Sequence, residues 1–113
     1  MTNRFTYRAK TEFERYVDAY EGFVENVQSG YEMCLDEYVG DLLCRGILEE
    51  GKHRSDVARM WSRVERSDDR LRSLLLPTTK CIHGDHPREW FWLWGYPPKS
   101  PNVEEDLRRR ALL

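Results

Sequence analysis

Between positions 13 and 27 the apolar side chains Phe13, Tyr16, Val17, Tyr20, Phe23, Val24 and Val27 recur at intervals of three and four, the spacing that lines one face of an α-helix. Thr11-Glu12-Phe13-Glu14 has the form of a capping box, and Ser29-Gly30 supplies a stop, so a first helix is predicted over about 12–29. A second stripe of Leu35, Tyr38, Val39, Leu42, Leu43 and Ile47 predicts a helix over about 31–49, ended by Gly51. Gly40 and Gly46 each cost such a helix about 1 kcal/mol relative to alanine, which predicts a close helix crossing near them. Ser55 can cap a third helix, with Val57, Met60, Trp61, Val64, Leu71, Leu74 and Leu75 on one face as far as Pro77.

Short connections force sequential helices to run antiparallel, so residues 11–76 are expected to form an up-down-up three-helix bundle. Residues 77–113 differ in composition. Four of the five prolines follow Pro77, together with Trp90, Trp92 and Trp94. Pro87 and Gly95 bracket positions 88–94 as a short helix, although the three tryptophans would also alternate along a strand. Positions 96–101 are expected to be extended, and Asn102 to cap a final helix whose acids precede its bases. The expectation is one all-α domain over 1–113, with a Trp/Pro-rich covering tail that carries one or two short helices.

Composition agrees with this. At 113 residues the chain has room for one core and not for a Rossmann or barrel enzyme. Twelve Leu against seven Val and two Ile favour helix over strand. Charged residues, at 34%, exceed the usual quarter and predict an ionic surface. Met1 to Lys10 carry Arg4, Arg8 and Lys10 without an apolar run behind them, so neither an export signal nor a membrane span is expected. Three cysteines without such a signal predict reduced thiols and a cytoplasmic location.

The net charge of −2 hides a division. Positions 11–50 hold eleven acids and two bases, whereas positions 51–113 hold nine acids and thirteen bases. Within that division Arg59, Arg63, Arg66 and Arg70 form a ridge at helical intervals, and Glu14, Asp18, Glu21 and Glu25 repeat the same intervals on the first helix. The two ridges can be solvated faces, or meet within the bundle or across a homodimer. The arginine ridge could also track nucleic-acid phosphates, with tail tryptophans stacking on bases, but the acidic first helix would repel a phosphate backbone.

The densest chemical cluster is Cys81-Ile82-His83-Gly84-Asp85-His86, all of whose polar side chains are zinc-ligand types. Over these six residues it resembles the H-x-H-x-D-H motif of metallo-β-lactamase-type hydrolases, with Cys81 where the first histidine stands. That family needs a much longer sandwich fold and further ligands, and this chain has one other histidine, His53. A structural zinc site formed by Cys81, His83 and His86 is the alternative, and a polar turn preceding Pro87 is the plainer one. Glu50-Gly51-Lys52-His53 matches Glu-x-x-His but straddles a turn, and neither a nucleophile elbow nor a phosphate-binding glycine loop occurs. No enzymatic constellation is therefore expected.

The run from Trp90 to Tyr96 is too apolar to be left in water without cost. It either completes the core or forms a protein-binding surface through Trp90, Trp92, Trp94 and Tyr96. The expected function is that of a small, non-enzymatic interaction or regulatory protein. Its partner would be a protein or a second copy, met through those aromatics and the four arginines.

Overall fold

Thr11 caps the first helix as its sequence predicts: its Oγ1 accepts from the Glu14 amide at 3.1 Å. The computed structural model describes residues 11–113, so Arg4, Arg8 and Lys10 lie outside the described residues. Helix α1 spans Glu12–Ser29 and buries Phe13, Val17, Tyr20, Phe23, Val24 and Val27. Helix α2 spans Leu35–Glu50. It starts later than the apolar pattern suggests, because the Tyr31 amide donates to the Lys99 carbonyl at 2.8 Å and holds that stretch against the tail.

The expected third helix is two helices, α3 at Ser55–Ala58 and α4 at Trp61–Leu74. Arg54, not Ser55, is the N-cap of α3. No glycine or proline stands at the break. Instead the Met60 and Arg63 amides bond three residues back, to Val57 and Met60, which tightens the chain out of α geometry.

Beyond α4 the structure departs from the all-α expectation. Strand β1 (Leu76–Pro77) pairs antiparallel with β2 (Gly95–Tyr96), with Leu76 opposite Tyr96 and Pro77 opposite Gly95. The helix expected over 88–94 shrinks to a 3-10 turn at Phe91–Leu93. Its geometry sends Trp92 and Leu93 inward, while the Trp94 indole N–H reaches back to the Pro87 carbonyl at 3.1 Å. Gly95 is needed for a close approach: a Cβ there would meet the Leu75 Cβ at 2.9 Å and the Leu76 carbonyl oxygen at 3.1 Å.

Helix α5 spans Pro101–Arg109 with Ser100 as N-cap, so Asn102 is not the cap. Proline suits the first helical position, where its missing N–H is not wanted. Asn102 instead donates to the Glu32 carbonyl at 2.6 Å. Cys34 caps α2 with no side-chain bond, and Asp106 of α5 does so from outside, accepting from the Leu35 amide at 3.2 Å.

One apolar cluster runs from Phe13 through Val64 and Leu71 to Trp92, Val103 and Leu107. Helix α1 packs against both α2 and α4, the Phe91–Leu93 turn touches both of those helices, and α5 lies on α2. The protein is thus mostly helical, and the tail supplies part of its core. Among the described residues no helix is long and apolar enough to cross a membrane.

Candidate interaction surfaces

The tail aromatics divide by depth. Trp92 is buried at 2% exposure, while Trp90, Trp94 and Tyr96 are half-buried. Trp90 stacks between His86 (centroids 4.1 Å apart) and Trp92 (5.1 Å). The indole also passes Gly46 of α2, where a Cβ would lie 3.8 Å from Trp90 Cζ3. The close helix crossing expected at the two glycines is not found: a Cβ at Gly46 would make ordinary contact with the tail indole, and at Gly40 nothing lies within 4 Å.

Behind Trp92 lies a polar cluster that pattern reading missed. Arg45 of α2 forks onto Asp68 of α4, with Nε to Oδ1 and Nη2 to Oδ2 both at 2.8 Å. The Tyr20 hydroxyl of α1 donates to Asp68 Oδ1 at 2.5 Å. Arg45 Nη1 also donates to Glu49 at 3.1 Å, and Lys52 holds the other Glu49 oxygen at 2.7 Å. The guanidinium lies 4.1 Å from the Trp92 ring centre and 5.1 Å from that of Trp61.

Burial pushes the Tyr20 hydroxyl far above its ordinary pKa, and the neighbouring Asp68 adds to this, so it stays a proton donor. Burial also works against charge on Glu49, but the bonds from Lys52 and Arg45 outweigh it and hold its carboxyl below the usual range. The sequence carried a signal for this cluster. Arg45 follows Leu35, Tyr38 and Leu42 at helical intervals, and Asp68 stands between Val64 and Leu71. Opposite charges on the apolar stripes of two helices imply each other, because neither can be buried alone.

Among the described residues the charge ridges meet at Arg63. Arg63 Nη2 contacts Asp18 at 2.8 Å, and its Nε contacts Glu21 at 3.0 Å. These bonds raise the Arg63 pKa above its ordinary value. Arg59, Arg66 and Arg70 are exposed and form no ion pair among the described residues. Arg66 and Arg70 share with Glu21 and Glu25 an open trough of about 280 Å3 between α1 and α4.

The Cys81, His83 and His86 side chains are not gathered. The Cys81 thiol turns to the His83 carbonyl at 3.2 Å, and the His86 ring is occupied in stacking on Trp90. Among the described residues no group of three or more His, Cys, Asp or Glu could hold a metal ion. His83 and His86 do share one feature, an apolar groove of about 300 Å3 between α2 and the tail, lined also by Leu43, Ile47, Glu50 and Trp90. Leu43, expected in the buried stripe, is 51% exposed beside it, because Arg45 and Leu48 take the inward positions. No protein-family model, curated protein or solved structure matches this chain.

Proposed function

We propose that this is a small, non-enzymatic interaction or regulatory protein that receives an apolar side chain of a protein partner in the groove between α2 and the tail. The observation that carries this reading is the groove itself, a 300 Å3 apolar hollow left open after the tail has docked, with Leu43 half exposed beside it. An exposed apolar patch with a tryptophan at hand has the character of a recognition site. The framework beneath it is read as an up-down-up arrangement of α1, α2 and α4. The three cysteines, none in a disulfide, accord with a cytoplasmic setting.

Leu43→Asp tests the reading, since the side chain faces water and its replacement leaves the core intact. Proteins retained by the wild-type chain are compared with those retained by the variant, and each candidate pair is rebuilt from purified components. Binding that the variant loses by tenfold or more supports the groove. Rebuilt pairs that bind the variant as well as the wild type overturn it, as does a wild-type chain that retains no protein.

Self-association is a second reading, favoured by the trough in which Glu21 and Glu25 adjoin Arg66 and Arg70. A patch bearing both signs can face its own copy in a two-fold dimer. Sedimentation in low and high salt distinguishes this reading from the first. Nucleic-acid binding through the ridge of Arg59, Arg63, Arg66 and Arg70, against the opposition of the two acids, would give a steep salt slope when a labelled oligonucleotide is titrated.

A further inference from the structure

A smaller recess opens on another part of the molecule, where the end of α4 meets β1 and the tail turn. It holds about 200 Å3 and is lined by Arg72, Arg88, Phe91, Trp94, Leu76 and Pro77 among others, none of them acidic. Each arginine lies on an aromatic face: Arg72 Cζ is 4.1 Å from the Phe91 centroid, and Arg88 Cζ is 4.3 Å from that of Trp94. A stacked guanidinium keeps its plane fixed while its N–H edge stays available, so less freedom is lost when that edge binds an anion.

The platforms are themselves held. The Trp94 indole N–H donates to the His86 and Pro87 carbonyls, and Phe91 sits edge-on to the buried Trp92. Among the described residues Arg72 has one ion-pair partner, Asp69 at 3.3 Å, whose side chain is 81% exposed. Such a pair is worth little and is readily exchanged. Arg88 has no carboxylate partner among the described residues. The trough between α1 and α4 differs here, because Glu21 and Glu25 stand in its lining beside the arginines and oppose an anion.

From this arrangement we infer a binding site for a small anion carried on an apolar body, its carboxylate or phosphate read by Arg72 and Arg88 and its body laid against Leu76, Pro77 and the two rings. A recess near 200 Å3 is comparable with the roughly 150 Å3 engineered cavity that takes up benzene, a size that suits a single ring with its head group. Two forked donors match either head group, since both present paired oxygens. The site is independent of the α2 groove, so either can fail without the other.

The test uses the full chain labelled with nitrogen-15, and follows the Trp94 indole resonance, identified by its loss in Trp94→Phe. Benzoate, phenyl phosphate, neutral benzamide and inorganic phosphate are titrated through the millimolar range. Saturable shifts with benzoate or phenyl phosphate, absent with benzamide and weakened at least tenfold in Arg88→Gln, are expected. The stronger of the two names the head group. Arg72→Gln provides the same readout from a second exposed position. Equal binding of benzamide, equal binding of inorganic and phenyl phosphate, no saturation, or arginine variants that bind as the wild type does would each overturn the site.

Discussion

Arg45 and Arg63 each clamp carboxylates carried on another helix, and their surroundings differ. Arg45 meets Asp68 with side-chain exposures of 4% and 10%, under the indole of Trp92. Arg63 meets Asp18 and Glu21 with exposures of 33%, 34% and 35% on the outer side of α1 and α4. The contacts are of similar length, so distance does not separate them. Water does. A buried pair has lost hydration that only its partners replace, whereas a half-exposed pair keeps much of its solvent and gains little from closing.

The largest expected effect follows from removing one buried partner. Asp68→Ala leaves Arg45 charged and enclosed, which should cost about 3–5 kcal/mol in urea unfolding, as breaking a buried pair does. The double change Arg45→Met with Asp68→Leu should recover most of that loss, since a well-packed apolar replacement is often neutral. A single variant within 1 kcal/mol of wild type would remove the distinction between the two clamps.

Trp92→Ala sharpens the same distinction from the tail. Cavity formation alone predicts a loss of about 3–5 kcal/mol. If the indole also shields the guanidinium, the loss should shrink in an Arg45→Met background, a non-additivity that a double-mutant cycle reads directly. Purely additive losses would mean that the tail covers grease and not charge.

That outcome bears on what the sequence could reveal. Helix α1 was legible almost to the residue, because cap, stripe and stop agree from Thr11 to Gly30. The apolar content of Trp92 and Leu93 marked the tail as something to be covered, and both are buried. The ribbon of Leu76–Pro77 with Gly95–Tyr96 was not legible, since two-residue strands carry no periodicity and their pairing joins positions far apart in the chain. The break at Arg59 and Met60 was equally silent, having neither glycine nor proline. At the candidate surfaces the tryptophans were visible, but the groove was not. It lies on the side of α2 that bears Leu43, about 200° round the helix from the inward Arg45, and its other wall is a tail whose docking no periodicity announces.

Acid provides a third comparison within the buried cluster. Glu49, held below its usual range by Lys52 and Arg45, adds stability that is fully present above its unfolded pKa of about 4.3 and disappears as pH falls through its lower folded value. Glu49→Gln should therefore flatten the acid limb of a stability-against-pH curve and leave the limb above pH 7 unchanged in slope. An acid limb as steep as that of the wild type would place the sensitive carboxylate elsewhere.

The smallest effect belongs to the outer clamp. Arg63→Ala should cost between about 0 and 1 kcal/mol, the range measured for exposed pairs, despite its contacts to two carboxylates. Part of even that cost is aliphatic packing of the arginine stem, which salt does not screen. Chemical unfolding by urea, which is uncharged, at 0.05 M and 1 M sodium chloride separates the two, because the Debye length falls to about 3 Å at 1 M. The wild-type advantage over Arg63→Ala should narrow in high salt, while the advantage over Asp68→Ala, set inside the protein, should hold. If both narrow together, the interior around Arg45 is wetter than its 4% exposure implies, and the two clamps are one kind of interaction.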